Sequence, residues 1–203
     1  MTRWYRERKR DFFYRKAKRE GYRARSSYKL KQIQDRFHII NPGDTVLDLG
    51  AAPGGWSQVA LELVGEKGLV IGVDLDRIAP IPGVIFLQGD VTSEETIQRI
   101  EEILEGRPVD VVLSDMSPDI SGMYSVDHAR SIYLGEKALE VAKRMLREDG
   151  NFVCKVFMGS DYESFLREIR TWFSRVKSYT PPASRKTSSE IYVVARGFNY
   201  KSE

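Results

Sequence analysis

Thr45-Val46-Leu47-Asp48-Leu49-Gly50-Ala51-Ala52-Pro53-Gly54-Gly55-Trp56-Ser57 reads as a short apolar strand, a glycine-rich loop and the first turn of a helix. The turn Asn41-Pro42-Gly43-Asp44 closes off what precedes it. Small loop residues let the backbone approach a ligand, and a helix N-terminus presents amides that no intrahelical carbonyl takes up. The glycines at 50, 54 and 55, with a proline among them, do not spell the G-x-G-x-x-G of a dinucleotide-binding turn, and no Walker lysine follows.

Outward from this loop, strand and helix patterns alternate to the C-terminus. Strands are predicted over 45–49, 69–73, 84–88, 109–114, 151–157, 174–179 and 190–196, and helices near 56–64, 93–105, 127–147 and 161–172. Alternation of this kind specifies an α/β fold with a doubly wound, seven-stranded, mostly parallel sheet. Upstream, residues 1–25 read as a polar helical arm, and a second helix over 27–37 takes Ser26 as its N-cap. The division expected is a basic, aromatic-rich extension over 1–36 and a catalytic-type domain over 37–203.

Doubly wound sheets bind ligands beyond the carboxyl ends of their strands, and the notable residues fall there. The second strand runs into Asp74, 24 positions after Gly50, where a carboxylate can accept hydrogen bonds from ribose hydroxyls. The third ends at Gln88-Gly89-Asp90-Val91, and Asp90 can accept from an adenine amine or cap the helix that follows. Together with the loop they indicate an adenosyl-type cofactor.

The charge is unevenly spread. Residues 1–36 carry fourteen Lys/Arg against four Asp/Glu, a net of +10, whereas the remaining 167 residues carry eighteen against twenty-five, a net of −7. Trp4, Tyr5, Phe12, Phe13, Tyr14, Tyr22 and Tyr28 interleave the basic residues. Cations that track phosphates beside rings that stack on unpaired bases point to RNA, although some of these rings must pack the arm onto the body. One cysteine (Cys154) and two separated histidines leave no metal-ligand cluster, so no metal is expected. No apolar run approaches the ~20 residues of a membrane span. The charged opening Met1-Thr2-Arg3-Trp4 is unlike a secretory signal, and with the single cysteine this makes a cytoplasmic protein without membrane partners the expectation; a monomer is expected alongside it.

Five stretches resemble the RrmJ/FtsJ family of ribose 2′-O-methyltransferases. They are Arg25-Ser26-Ser27-Tyr28-Lys29-Leu30, Val46 through Val59, Ser114-Asp115-Met116-Ser117-Pro118, Val153-Cys154-Lys155-Val156-Phe157, and Arg185-Lys186 with Ser188-Ser189-Glu190-Ile191-Tyr192. The resemblance covers about residues 20 to 196. It implies a Rossmann-like class I S-adenosylmethionine-dependent methyltransferase with a basic N-terminal helical extension. It also implies S-adenosyl-L-methionine as cofactor, on a candidate set of Gly50, Pro53, Gly54, Gly55, Trp56, Asp74, Leu75, Asp90, Val91 and Asp115.

The family's Lys-Asp-Lys-Glu tetrad matches Lys29, Asp115, Lys155 and Glu190. Lys155 is the candidate acceptor of the 2′-hydroxyl proton, or a cation that steers its lone pair. Asp115 orients Lys155, Glu190 holds the lysine or the ribose, and Lys29 the target nucleotide. Alone, Lys29 reads as one more surface cation and Glu190 as an edge-strand charge. Lys155 says more, because it interrupts Phe152-Val153-Cys154 and Val156-Phe157, where an unpaired charge is costly. Cys154 precedes Lys155 in the strand, points to the opposite face and reads as a buried hydrophobe, not a nucleophile.

The substrate that the resemblance implies is RNA: a uridine in the A-loop of large-subunit ribosomal RNA, naked or in the assembled subunit, or else a tRNA anticodon loop. Two other readings stand beside this one. A ribosome-assembly factor that binds the cofactor without turnover is countered by the complete tetrad. A nicotinamide-dependent oxidoreductase is countered by the glycine spacing.

Overall fold

The computed structural model describes residues 11–185 and 187–200. Along the described chain lie α1 (Phe12–Glu20), α2 (Ser27–Phe37), β1 (Thr45–Leu49), α3 (Gly55–Val64), β2 (Leu69–Asp74), β3 (Val84–Gln88) and α4 (Glu94–Leu104). They are followed by β4 (Val109–Ser114), α5 (Tyr124–Met145), β5 (Leu146–Phe157), α6 (Tyr162–Trp172), β6 (Phe173–Tyr179) and β7 (Glu190–Phe198). The helix ends obey local chemistry. Asp11 caps α1 by accepting from the Tyr14 amide, and Gly21 ends that helix at φ 79°. Ser93 caps α4, with Glu94 and Glu95 in the first turn.

The strands form one sheet in the order β3-β2-β1-β4-β5-β7-β6. β1 pairs in parallel with both β2 and β4, so the direction of winding reverses between β1 and β4. β7 runs antiparallel between β5 and β6. Its first residues therefore lie beside the last residues of β5, at the edge where the parallel strands end.

The alternation of side chains along each strand builds two cores. Leu47, Leu49, Cys154 and Val156 face α4, α5 and α6. Val46, Leu113, Val153, Tyr192 and Val194 face the other way and pack with Leu30 and Ile33 of α2 and Trp56, Val59 and Ala60 of α3. A small satellite of Ala17, Tyr28 and Ala183, flanked by Phe13 and Tyr22, seats α1 on the body.

Two sequence expectations change. The long helix predicted near 127–147 starts at Tyr124 and stops at Met145, because β5 begins at Leu146. Arg147 pairs with Asp110 there, and the β4–β5 register shifts between Val109 and Val111 to admit the polar stretch. Ser26 is not a side-chain cap: it has helical dihedrals and no capping hydrogen bond, and its carbonyl accepts from the Trp56 indole at 2.8 Å. Of the arm's aromatics, Phe13, Tyr22 and Tyr28 pack inward, whereas Phe12 is exposed; Trp4 and Tyr5 lie outside the described residues. Among the described residues no helix is long and apolar enough to cross a membrane.

Leu30, fully buried, ties α2 to the sheet. Leu30→Ala is expected to lower the free energy of unfolding by roughly 2–5 kcal/mol, measured by urea denaturation.

Candidate active site

Period-two alternation carries β4, β5 and β7 onto a common point. Val111 and Leu113 face α2 and α3, and Asp115 continues that face just past the end of β4. Lys155 follows Val153 on the same face of β5, and antiparallel pairing sets Tyr192 directly opposite it. Glu190, two residues before Tyr192, shares its face of β7, while Lys29 arrives on α2.

The four predicted tetrad residues meet there. Lys155 Nζ lies 3.3 Å from Asp115 Oδ1 and donates to the Asp115 carbonyl at 2.9 Å. Lys29 Nζ lies 2.5 Å from Glu190 Oε1. Tyr192 joins the two pairs: its hydroxyl donates to Asp115 Oδ1 at 2.7 Å, and its ring lies 5.7 Å from Lys29 Nζ. Trp56 stacks on the Tyr192 ring with centroids 5.7 Å apart. Both lysines are 9% exposed, and an unpaired charge so buried costs several kcal/mol.

Electrostatics follow from this packing. Burial favours the protonated form of Glu190, but the charge and hydrogen bond of Lys29 outweigh it and hold the carboxyl below its ordinary value. Burial, with the neighbouring charges of Asp115 and Glu190, pushes the Tyr192 phenol well above its ordinary value, so it remains a donor. Beneath the cluster Asp48 is fully buried and accepts from Ser57 at 2.7 Å. Burial, reinforced by the charges of Asp115 and Asp74, raises its carboxyl to about 7 against that hydrogen bond.

Beside the cluster opens a cavity of about 320 Å³, within the roughly 300–1,000 Å³ of small-molecule sites. Gly50, Asp74, Leu75, Asp90, Val91 and Asp115 of the predicted cofactor set line it, with Met116 and Leu134 adding apolar surface. Asp74 accepts from the Ala52 and Asp76 amides, one on each oxygen, at 2.9 Å. Asp90 Oδ1 takes the amide and hydroxyl of Thr92, and the cap of α4 falls to Ser93 instead. Pro53, Gly54, Gly55 and Trp56 are not part of this lining.

The loop glycines answer to protein neighbours. A Cβ on Gly50 would fall 2.5 Å from the Met116 side chain, and one on Gly55 2.6 Å from the Ser27 hydroxyl. Gly54, at φ 108°, has Ile81 and Arg23 within contact range.

A model of the FtsJ-like methyltransferase family matches residues 22–198, a span that contains both the cluster and the cavity. The chain belongs to the FtsJ-like methyltransferase family. It is 58% identical over 92% of its length to the ribosomal RNA large subunit methyltransferase E of Methanothrix thermoacetophila, covering 72% of that protein. It is 49% identical to the Acinetobacter baylyi protein of the same name, over 96% of this chain and 90% of that one. A Plasmodium falciparum crystal structure, of a protein assigned as a ribosomal RNA methyltransferase, superimposes with TM-score 0.82. That match has 27% identity and covers 89% of this chain and all of that one.

In this FtsJ-like methyltransferase a second cavity, about 300 Å³, is lined by Arg25, Lys29, Ser117, Phe157, Arg185, Ser188 and Glu190. Ser117 lines both cavities, so they abut at the tetrad. Lys186 lies outside the described residues. Cys154 is fully buried on the opposite face from Lys155, and burial raises its thiol to about 12, which suits a core side chain. Tyr192 is the member of the cluster that the sequence reading left out. The signal for it was the spacing of Glu190 and Tyr192, which a strand puts on one face.

The Lys29–Glu190 pair has a signature in acid. A carboxyl held below its ordinary value contributes stability above that value and loses it as pH falls through the lowered one. Wild type is expected to be more stable than Glu190→Gln at neutral pH. The gap should narrow as pH falls below about 4.5, followed by chemical denaturation at stepped pH.

Proposed function

We propose that the chain methylates the 2′-hydroxyl of a ribose in RNA using S-adenosylmethionine, and that its substrate is a uridine of the large-subunit ribosomal RNA A-loop. The observation that carries the chemistry is the meeting of a carboxylate-lined cavity with a cation-lined one at Ser117, over the Lys155–Asp115 pair. The substrate class follows the two relatives called ribosomal RNA large subunit methyltransferase E.

The first cavity suits an adenosyl group in its donor and acceptor chemistry. Asp74 has acceptor capacity left for ribose hydroxyls, Asp90 Oδ2 for an exocyclic amine, and Leu75, Val91 and Met116 supply apolar contact. Gly55 and Trp56 open α3, whose first amides suit a carboxylate. When bound, the cofactor supplies an electrophilic methyl group on a sulfonium.

This chain's residues do the rest. Arg25, Lys29 and Arg185 hold the target nucleotide in the second cavity, where guanidinium and ammonium groups suit phosphate. Two directions around Lys155 Nζ are taken by Asp115, and the remaining one serves the 2′-oxygen. In its neutral-amine form, with two N–H groups toward Asp115 and the lone pair toward the 2′-oxygen, Lys155 Nζ receives the hydroxyl proton as the oxygen attacks, and Asp115 stabilises the ammonium so formed, the charged state that the buried pair is built to hold. Tyr192 and the Lys29–Glu190 pair keep Asp115 and the ribose side of the site in register.

The test uses tritiated S-adenosylmethionine with large ribosomal subunits from a methyltransferase-deficient strain and, in parallel, total tRNA. The label is expected as 2′-O-methyluridine in the subunit, and Lys155→Ala should lower the rate roughly 10²–10⁴-fold with cofactor affinity nearly unchanged. Label confined to tRNA would overturn the substrate. Tight cofactor binding with no label in either would overturn catalysis and favour an assembly factor.

A further inference from the structure

One arginine of the basic segment turns away from the nucleotide cavity. Arg23 Nη1 donates to the Pro53 carbonyl at 3.2 Å and to the Ala79 carbonyl at 2.5 Å, and Nη2 donates to the Pro80 carbonyl at 2.8 Å. Pro53 follows Ala52 in the glycine-rich loop, and Ala79 and Pro80 lie on the loop that leaves β2 through Leu75 and Asp76. Those two loops wall the cofactor cavity. On the cavity side Asp74 ties them together through the Ala52 and Asp76 amides. On the far side the tie is the Arg23 guanidinium, whose planar fork can meet several carbonyls at once.

The segment carrying Arg23 is itself fastened to the same loop and its helix. Gln58 of α3 accepts from the Arg23 amide at 2.9 Å and donates to the Gly21 carbonyl at 3.0 Å. The Trp56 indole holds the Ser26 carbonyl, and Gly54 and Gly55 lack the Cβ atoms that would push Arg23 and Ser27 away. Ser27 opens α2, which delivers Lys29 to the tetrad two residues later. One continuous set of hydrogen bonds therefore joins the cavity wall to the helix that faces the target nucleotide.

We infer that Arg23 is a positioning residue for the cofactor, not a phosphate ligand: it clamps the two cavity loops together and couples them to the seating of α2. The inference rests on the cofactor reading above. A lysine at this position presents one point charge in place of a fork and does not restore the clamp.

Calorimetric titration of wild type, Arg23→Lys and Arg23→Ala with S-adenosylmethionine, with and without transcribed large-subunit ribosomal RNA, tests this. Both variants are expected to bind the cofactor about tenfold more weakly, in line with loss of a charge-assisted hydrogen bond. Their RNA affinity without cofactor, and its salt dependence, should stay at the wild-type level. In the transfer assay KM for the cofactor should rise while kcat changes little, a split that general loss of fold does not produce. Arg23→Lys keeps the test open if Arg23→Ala does not fold, and the melting temperature of each cofactor-free variant checks this. Unchanged cofactor affinity overturns the inference. So does weaker RNA binding with a salt slope reduced by about one, which would make Arg23 a phosphate contact. No cofactor binding by wild type would instead overturn the proposed cofactor, and the clamp with it.

Discussion

The geometry of the site turns on a lysine that must not be left alone. Lys155 stands in an apolar strand, 9% exposed, and its charge is tolerable there because Asp115 supplies both a carboxylate and a carbonyl. Removing one partner of such a pair strands the other, at a cost of about 3–5 kcal/mol. The pairing makes demands on the fold. β4 and β5 must be neighbours in the register that sets Ser114 beside Cys154, so that the residues one step further on can meet. Tyr192 must then come from an antiparallel strand, so that its hydroxyl reaches Asp115 from the other side.

The second charged pair extends this logic to the helices. Glu190 sits at the start of β7 and takes Lys29 from α2, which puts a residue near the N-terminus into the centre of the molecule. α2 is therefore core as much as it is part of a basic segment. Leu30 and Ile33 pack under the sheet beside Val46 and Val153, while Lys29 and Arg25 face the second cavity. The glycines of the 50–55 loop fit the same scheme, since Gly50 and Gly55 make room for Met116 and Ser27. Close packing of protein on protein, as much as approach of a ligand, explains why this loop is poor in side chains.

The doubly wound sheet was legible because its strands are short apolar runs separated by glycine-rich turns, and each predicted strand has a counterpart in the structure. The β5 boundary was not, since Arg147-Glu148-Asp149-Gly150 is polar and extends only because Asp110 and the edge of β4 receive it. Lys155 and Asp115 announced themselves as charges at the end or in the middle of apolar runs. Tyr192 did not, because a tyrosine in a strand is ordinary core material and only the antiparallel register reveals its partner. Arg23 was hidden for a similar reason: one arginine among fourteen basic residues in 1–36 looks like any other. Its carbonyl partners lie 30, 56 and 57 positions away.

If Lys155 and Asp115 act as one unit, their losses cannot be independent. The most direct measurement is a double-mutant cycle, Lys155→Met and Asp115→Asn, on the single-turnover rate of methyl transfer at saturating cofactor. Strong non-additivity is expected, with the double variant about as slow as the slower single one. Losses that simply multiply would contradict it, and would mean that the two residues act on the reaction separately.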